Sequence, residues 1–400
     1  MINIEHKENC TGCTACSNIC PKSCLEMVYD MEGFNYPKID ESKCNNCNLC
    51  ELVCPILNSK GLGREDTLTY AVQNKNNDIR KESTAGGFFG VVAECVLNNE
   101  GVVFGAGFDS QLRVQHGYVQ TIDELKKSSF CGSKYVQSYL GHCFKDVKDF
   151  LNTGKLVCFS GLPCQVAGLK SYLRKDYRNL ILIDLTCYGV PSPKLYKMYL
   201  EYCNKKYKIG VKKVIFRDKS YGYSLPNIRL ILNNGSIKEQ NSIVKSYLRP
   251  FFNGFSSRPS CYNCKFKTVE RVSDYTIGDC KNIGRFHKEL DDDKGTTVVY
   301  IHSKKGKEFL DNIKDNIILK ELNIVRVLNS CGKKMIVSDI PNNTRDNFFK
   351  DIDILSYEKL INKYVPISYK ERIANIIKPL LLKSGILNFN MVKKILAFIR

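Results

Sequence analysis

The sequence of 400 residues predicts a small α+β module fused to an α/β domain with a mixed, mainly parallel sheet, followed by a helical C-terminal extension. Three observations predict this. Two cysteine runs near the start share one spacing and flank a hairpin pattern. Two strand-to-helix units follow each other directly in the middle of the chain. From about Asn347 the chain turns helical and rich in Lys, Arg, Leu and Ile.

The first run reads Cys10-Thr-Gly-Cys13-Thr-Ala-Cys16-Ser-Asn-Ile-Cys20-Pro21. The second reads Cys44-Asn-Asn-Cys47-Asn-Leu-Cys50-Glu-Leu-Val-Cys54-Pro55. Both have the spacing C-x2-C-x2-C-x3-C-P, the bacterial signature of a pair of 4Fe–4S clusters. The fourth cysteine of each run serves the other cluster. One cluster is therefore expected on Cys10, Cys13, Cys16 and Cys54, the other on Cys44, Cys47, Cys50 and Cys20. Four cysteines also bind zinc, but zinc ribbons use two C-x2-C pairs rather than four cysteines per run. Leu25 to Asp40 alternates around Met31-Glu32-Gly33 as a β-hairpin does. Cys24 falls outside the ligand spacing and is assigned to packing. The stretch resembles the two-cluster ferredoxins, which move electrons singly.

Hydrophobic residues make up 43% of the chain, enough for sizeable cores in two or three domains. Twenty cysteines could mean a secreted disulfide scaffold. The length, the metal-ligand spacing and a start without an apolar signal core point instead to a cytoplasmic protein. Oxygen-sensitive clusters further point to an anaerobe. No apolar run of membrane-spanning length is present. The net charge of +19 is spread along the chain rather than blocked. That favours an acidic redox partner or a phosphate-bearing cofactor over nucleic acid.

Residues 56 to 66 read as a linker, and Thr69 to Gln73 as a strand. Ser83-Thr84-Ala85-Gly86-Gly87 opens a helix and offers backbone N–H groups to an anion such as a phosphate, or simply caps the helix. Val102 to Phe108 reads as a buried strand. Gly132-Ser133-Lys134-Tyr135 is a second polar loop with a cation and a ring.

Leu156 to Ser160 is a strand running into Gly161-Leu-Pro163-Cys164 and a helix from Val166 to Arg174. Leu180 to Leu185 is a strand running into Thr186-Cys187-Tyr188-Gly189 and another helix. Cys164 and Cys187 thus follow the carboxyl ends of strands, where α/β sheets build their sites. After a strand over 211–216 and an Asn234-Gly235 hairpin, Cys261-Tyr-Asn-Cys264 supplies a further C-x2-C. Cys164, Cys187, Cys261 and Cys264 together could form a third four-thiolate site, with Cys280 as a competing ligand. The remaining cysteines are assigned to packing. Helices at Pro379 to Lys383 and Met391 to Arg400 pack on the body or touch a membrane surface peripherally.

The motifs STAGG, GSKY, FSGLPCQVAGLK, DLTCYGVPSP, FRDK, RPSCYNCKFK and a final GD occur in one order. In that order they resemble the coenzyme F420 hydrogenase/dehydrogenase beta-subunit family, with a ferredoxin fused at the N-terminus. The resemblance implies an iron–sulfur flavoprotein oxidoreductase. It would pass electrons between 4Fe–4S clusters and FAD, and on to a two-electron substrate such as F420. It implies Ser83, Thr84, Gly86, Gly87, Gly132, Ser133 and Lys134 around the flavin, with Lys134 and Tyr135 as catalytic candidates. It implies a third 4Fe–4S cluster on Cys164, Cys187, Cys261 and Cys264. The expected organisation is a two-cluster domain over 1–60, two parts of the family domain over 67–145 and 146–310, and a basic helical extension over 311–400. The chain departs from the pattern at Tyr188 and at Cys280-Lys281-Asn282, near the second-substrate pocket. An alternative is an electron-transfer subunit with no substrate of its own, docked on a partner oxidoreductase.

Overall fold

The computed structural model describes residues 2, 4, 6–58 and 67–368. The strands are β1 (Leu25–Tyr29), β2 (Asn35–Ile39), β3 (Leu68–Asn74), β4 (Val102–Phe108), β5 (Val114–Val119), β6 (Val157–Ser160), β7 (Leu180–Leu185), β8 (Val211–Asp218), β9 (Asn227–Leu232), β10 (Ile237–Glu239), β11 (Tyr275–Asp279), β12 (Thr297–Ile301) and β13 (Ile317–Glu321). The chain forms two units, one of residues 1–192 and 257–340, the other of residues 193–256 and those from 341 on.

In the first unit, β1 and β2 form the expected hairpin, Leu25 opposite Ile39. Its turn is fixed by Asp30, whose carboxylate accepts from the Glu32 and Phe34 N–H groups at 3.0 and 2.9 Å. Gly33 takes φ +83°, which glycine adopts without a Cβ clash. Short helices Ala15–Ile19 and Leu49–Leu52 carry the cysteine runs.

The rest of this unit is an eight-stranded sheet in the order β13-β3-β12-β11-β7-β6-β4-β5. Period-two alternation sorts its side chains to two faces. Val103, Cys158, Ile181 and Ile183 pack with helix Phe88–Asn98 through Val91, Val92 and Val96. Val102, Phe104, Val157, Phe159 and Leu182 pack on the other face with helices Cys143–Asn152 and Pro163–Leu173. Cys13, Ala15 and Val53 of the cysteine module join this second core.

The sheet is mixed, as expected, but not mainly parallel. β4, β6, β7 and β11 give three parallel ladders, against four antiparallel ones at the flanks. The helical crossover legible in the sequence joins only β6 and β7. β12 returns beside β11, and β3 slots in from the far end of the chain. β13 extends the sheet past residue 310 by pairing with β3, Ile317 opposite Asn74. Residues 311–340 therefore belong with the sheet, not with a separate helical extension.

The second unit interrupts the first between β7 and β11. Helix Pro193–Tyr207 packs with the antiparallel sheet β10-β9-β8 and with helix Tyr357–Tyr364. Tyr196, Tyr199, Phe216, Tyr247 and Tyr357 form its aromatic centre. Tyr199 Oη donates to the Val244 carbonyl at 3.1 Å, satisfying a buried hydroxyl. The proposed terminal helices at 379–383 and 391–400, and most of the linker, lie outside the described residues. No helix among the described residues is long and apolar enough to cross a membrane.

Helix Pro163–Leu173 starts three residues earlier than its apolar pattern suggests, because Pro163 suits the first helical position. Gly168 in this helix touches Cys13: an added Cβ would lie 2.9 Å from both Cβ and Sγ of Cys13. Alanine would gain about 1 kcal/mol of helix propensity, but overpacking costs about 1–3 kcal/mol. Gly168→Ala is expected to destabilise the chain by about 1 kcal/mol and to lower iron retention at the Cys13 set, read by urea unfolding and iron per chain.

Candidate metal centres and cofactor cradle

The first cysteine set converges as the crossed pattern requires. Cys10, Cys13, Cys16 and Cys54 all line one small cavity, with Ile2, Ile4, Met27 and Ile56 among its apolar walls and Asn9, Thr11 and Thr14 as its polar ones. Gly12 and Thr14 take positive φ of 69° and 63°, winding the loop around that space. Burial pushes the Cys13 thiol up to about 12, with Cys10 and Cys54 adding to it. It pushes Cys16 well up for the same reason. Iron must displace these protons, so cluster binding and deprotonation are coupled. The residues fit a cubane.

The second set lies nearer the solvent: Cys47 is exposed, Cys44 and Cys20 half-buried, and Cys50 buried. Cys24, expected only to pack, belongs to this neighbourhood. Its Sγ lies 3.3 Å from Cys20 Sγ, and its thiol is raised to about 12 by that hydrogen bond, with Cys44 adding to the rise.

The candidate third set is drawn from three loops that meet. Cys164 occupies the first turn of its helix. Its thiol is pushed well up by burial and by the charges of Cys264, Cys187, Cys261 and Cys13. The segment after Cys187 runs antiparallel to the one before Cys261: Pro191 bridges Ser257, and Arg258 N–H donates to the Val190 carbonyl at 3.0 Å. Gly189, at φ +103°, leaves room for Cys261, whose Cβ would sit 3.3 Å from an added methyl. Lys267 Nζ donates to the Cys187 and Lys334 carbonyls, and Arg271 donates to the Phe266 and Met335 carbonyls. Burial raises the Cys187 thiol, and both cations partly offset that rise. Cys280 is not gathered here; it is buried in another core, its thiol hydrogen-bonded with that of Cys331. Among the described residues no group of three or more His, Cys, Asp or Glu converges on a single ion. A cubane's ligands each hold a different iron and stand further apart.

The two polar loops of the flavin expectation come together. Thr84 Oγ1 and Ser133 Oγ share a hydrogen bond of 2.9 Å. Lys134 Nζ donates to the Ser129 and Gly132 carbonyls. No carboxylate pairs with it among the described residues, and desolvation brings its ammonium down to about 7. Nearby His116 stacks on Phe159 with ring centres 5.5 Å apart. Its Nδ1 is buried without a hydrogen-bond partner, and burial lowers it to about 4. An unpaired ammonium and an orphaned ring nitrogen fit an anionic, hydrogen-bonding cofactor.

Other expected contacts are structural. Ser83 Oγ donates to the Ile79 carbonyl at 2.7 Å, closing a helix end. Gly86 N–H is taken by Thr297 Oγ1 at 2.9 Å, and a Cβ there would lie 2.2 Å from the Val72 carbonyl oxygen. Gly87 caps helix Phe88–Asn98 at φ +86°. Tyr135 follows Lys134 in the loop. A polar groove of about 440 Å³ opens beside Asn76, Glu94, Asn98 and Asn316, and none of Thr84, Ser133 or Lys134 lines it.

One segment ties these places together. Ser133 meets Thr84, Ser138 Oγ accepts from Gln165 Nε2 at 2.9 Å, and Gln137 Nε2 donates to the Thr11 carbonyl at 3.4 Å. Gly168 lies within FSGLPCQVAGLK, and Arg258 and Lys267 open and close RPSCYNCKFK, but sequence reasoning gave them no role, and it missed His116 altogether.

A hairpin module carrying two C-x2-C-x2-C-x3-C-P runs, seated on a mixed sheet, defines an iron–sulfur protein. Residues 9–57 match the 4Fe-4S dicluster domain. Residues 154–326 match the C terminus of the coenzyme F420 hydrogenase/dehydrogenase beta subunit. An uncharacterized ferredoxin of Methanocaldococcus jannaschii is 38% identical over 52 residues, 13% of this chain; the chain spans 66% of that relative's length. A chain of the F420-reducing nickel–iron hydrogenase complex from Methanosarcina barkeri is similar at 17% identity and a TM-score of 0.44, over 69% of this chain and 90% of that one.

Lys134 yields a pH prediction. Its folded value of about 7 lies below its ordinary 10.5. Between those values the unfolded chain holds the extra proton, so stability rises with pH across the window. In the metal- and flavin-free chain, Lys134→Met should remove roughly 1 kcal/mol of the rise between about pH 7 and 9. Urea midpoints of both proteins at the two pH values check it.

Proposed function

We propose that this chain is an iron–sulfur flavoprotein oxidoreductase. Single electrons enter at the exposed Cys44/Cys47/Cys50/Cys20 set and pass through the buried Cys10/Cys13/Cys16/Cys54 set. They reach a third 4Fe–4S site on Cys164, Cys187, Cys261 and Cys264, and then a flavin. The observation that carries this reading is the contact of Cys13 with Gly168, in the helix whose first turn holds Cys164. It puts a ligand of the first set one helical turn from a ligand of the third.

FAD, when bound, exchanges one or two electrons and so links single-electron carriers to a two-electron acceptor. Thr84, Gly132, Ser133 and Lys134 hold it, with Lys134 supplying a cation to its phosphates. Lys267 and Arg271 place positive charge where thiolate charge gathers. The acceptor is a small two-electron carrier of the coenzyme F420 class. A second reading is favoured by the net charge of +19 and the exposure of Cys47. In it the chain is a transfer subunit docking an acidic partner oxidoreductase and turning over nothing itself.

Anaerobic turnover with reduced ferredoxin and F420, nicotinamides or other soluble two-electron acceptors separates the two. Reduction of an acceptor by the isolated chain supports the enzyme, and none with any acceptor leaves the transfer role. The chain is expected to carry about twelve irons and one FAD. Cys54→Ser and Cys187→Ser should each lose about four irons, and Lys134→Met should lower FAD retention roughly tenfold. Iron, sulfide and flavin counts check all three. A wild-type count of about eight irons would remove the third cluster.

A further inference from the structure

Arg258 is the largest fully buried side chain, with 0% of its surface exposed. Its Nε donates to the Cys10 carbonyl at 2.7 Å, Nη2 to the Asn35 carbonyl at 2.9 Å, and Nη1 to Gln137 Oε1 at 3.1 Å. Its guanidinium lies 4.1 Å from the centre of the Tyr36 ring and 5.5 Å from that of Phe34. Every one of these partners is neutral. Buried Arg80, by contrast, has Asp292 at 2.6 Å. Among the described residues Arg258 has no carboxylate.

A buried cation without a counter-charge costs several kcal/mol. The anionic groups within reach are thiolates. Arg258 grips the peptide of Cys10, a ligand of the first set, and stands three residues before Cys261, a ligand of the third. Its charge acts on the Cys261 thiol. The fit around it is close: a Cβ on Gly12 would lie 2.8 Å from Gln137 Nε2 and 3.0 Å from Arg258 Nη1.

We propose that Arg258 is a positioning residue that joins the first thiol set to the third and acts as the shared counter-charge of the clusters on both. This rests on the relay reading above. A cubane held by four thiolates is dianionic when oxidised and gains one further negative charge when reduced by one electron. A fixed cation beside it favours the reduced form and raises its potential. Arg258 thereby sets the first and third clusters above the second, and electrons run inward. Arginine suits this place because it stays protonated, and its planar fork reaches three acceptors at once.

The test is a redox titration of the anaerobic full chain followed by electron paramagnetic resonance. Signals are assigned with Cys54→Ser, Cys50→Ser and Cys187→Ser. At one applied potential, Arg258→Gln should lower the reduced-to-oxidised ratio of the first and third clusters about tenfold, equivalent to about 59 mV for a one-electron couple. The second cluster should not move. Gln137→Glu keeps Arg258 in place and neutralises it by pairing; it should shift the same two clusters in the same direction. Arg258→Lys, which gives up the fork and holds its proton less firmly when buried, should shift the same two clusters in the same direction by a smaller ratio. Unchanged ratios in Arg258→Gln and Gln137→Glu would overturn the proposal, as would an equal shift of all three clusters. If Arg258→Gln loses its iron, Gln137→Glu decides. A wild-type chain with about eight irons would sink the relay instead, while the first cluster's shift still decides the role of Arg258.

Discussion

The arrangement depends on one close approach, Cys13 against the bare backbone of Gly168. A single missing side chain lets the cysteine module sit directly on helix Pro163–Leu173. Around that point Ala15 and Val53 share a core with Phe144, Val166 and Leu169, all fully buried. Burying a large aliphatic side chain is worth about 1.5–3 kcal/mol, so the seat is firm. Firmness matters more than strength for a relay. Sites held on packed elements keep their spacing, and spacing governs whether charge moves between them. The same helix presents Cys164 in its first turn, so one element serves as floor for the first set and carries a candidate ligand of the third.

Packing many thiolates into one protein creates an electrostatic problem, which the chain meets with cations bonded to backbone carbonyls. Arg258 lies between the first and third sets, and Lys267 and Arg271 border the third. In the iron-free chain the thiols escape by staying protonated, which is why burial raises Cys13, Cys16, Cys164 and Cys261. Metal binding releases those protons and leaves negative charge for the cations to balance. Exposure falls from Cys47 to Cys13. Burial and hydrogen bonding to sulfur tune cluster potentials, so the gradient of exposure is also a gradient of environment.

Much of this was legible because cysteine spacing is covalent information. Eight cysteines and two prolines in register suggested the crossed sets, and Cys10, Cys13, Cys16 and Cys54 line one cavity. Strands β4, β6 and β7 were legible because buried parallel strands read as continuous apolar runs. The antiparallel pairing at the flanks was not. β3 and β13 are paired by partners far off in the chain, and nothing local announces which strand lies beside which. The Ser83 and Gly86 expectations illustrate another limit. A Ser-Thr-Ala-Gly-Gly loop looks alike whether its N–H groups wait for a phosphate or are already taken, as Gly86 is by Thr297. Arg258 was invisible for the opposite reason. An arginine before a proline carries no sign of burial, and only the fold brings Cys10, Asn35 and Gln137 around it.

The position of the third set explains why so large a segment can interrupt the sheet. Residues 193–256 leave after β7 and return before β11, two strands that pair in parallel, Tyr275 beside Ile183. An insertion of that size tends to pry its neck apart, although the entropy of closing a loop grows only slowly with its length. The neck here is stitched by the Pro191–Ser257 bridge and the bond from Arg258 N–H to the Val190 carbonyl. Cys187 lies on one side of that stitch and Cys261 and Cys264 on the other. A cluster taking ligands from both sides would clip the neck as a metal closes a long loop, while Cys164 anchors the clip to the sheet. Cofactor and connection would then depend on each other: the clip would hold the returning chain in register with β7, and that register would keep the thiols within reach of one cluster.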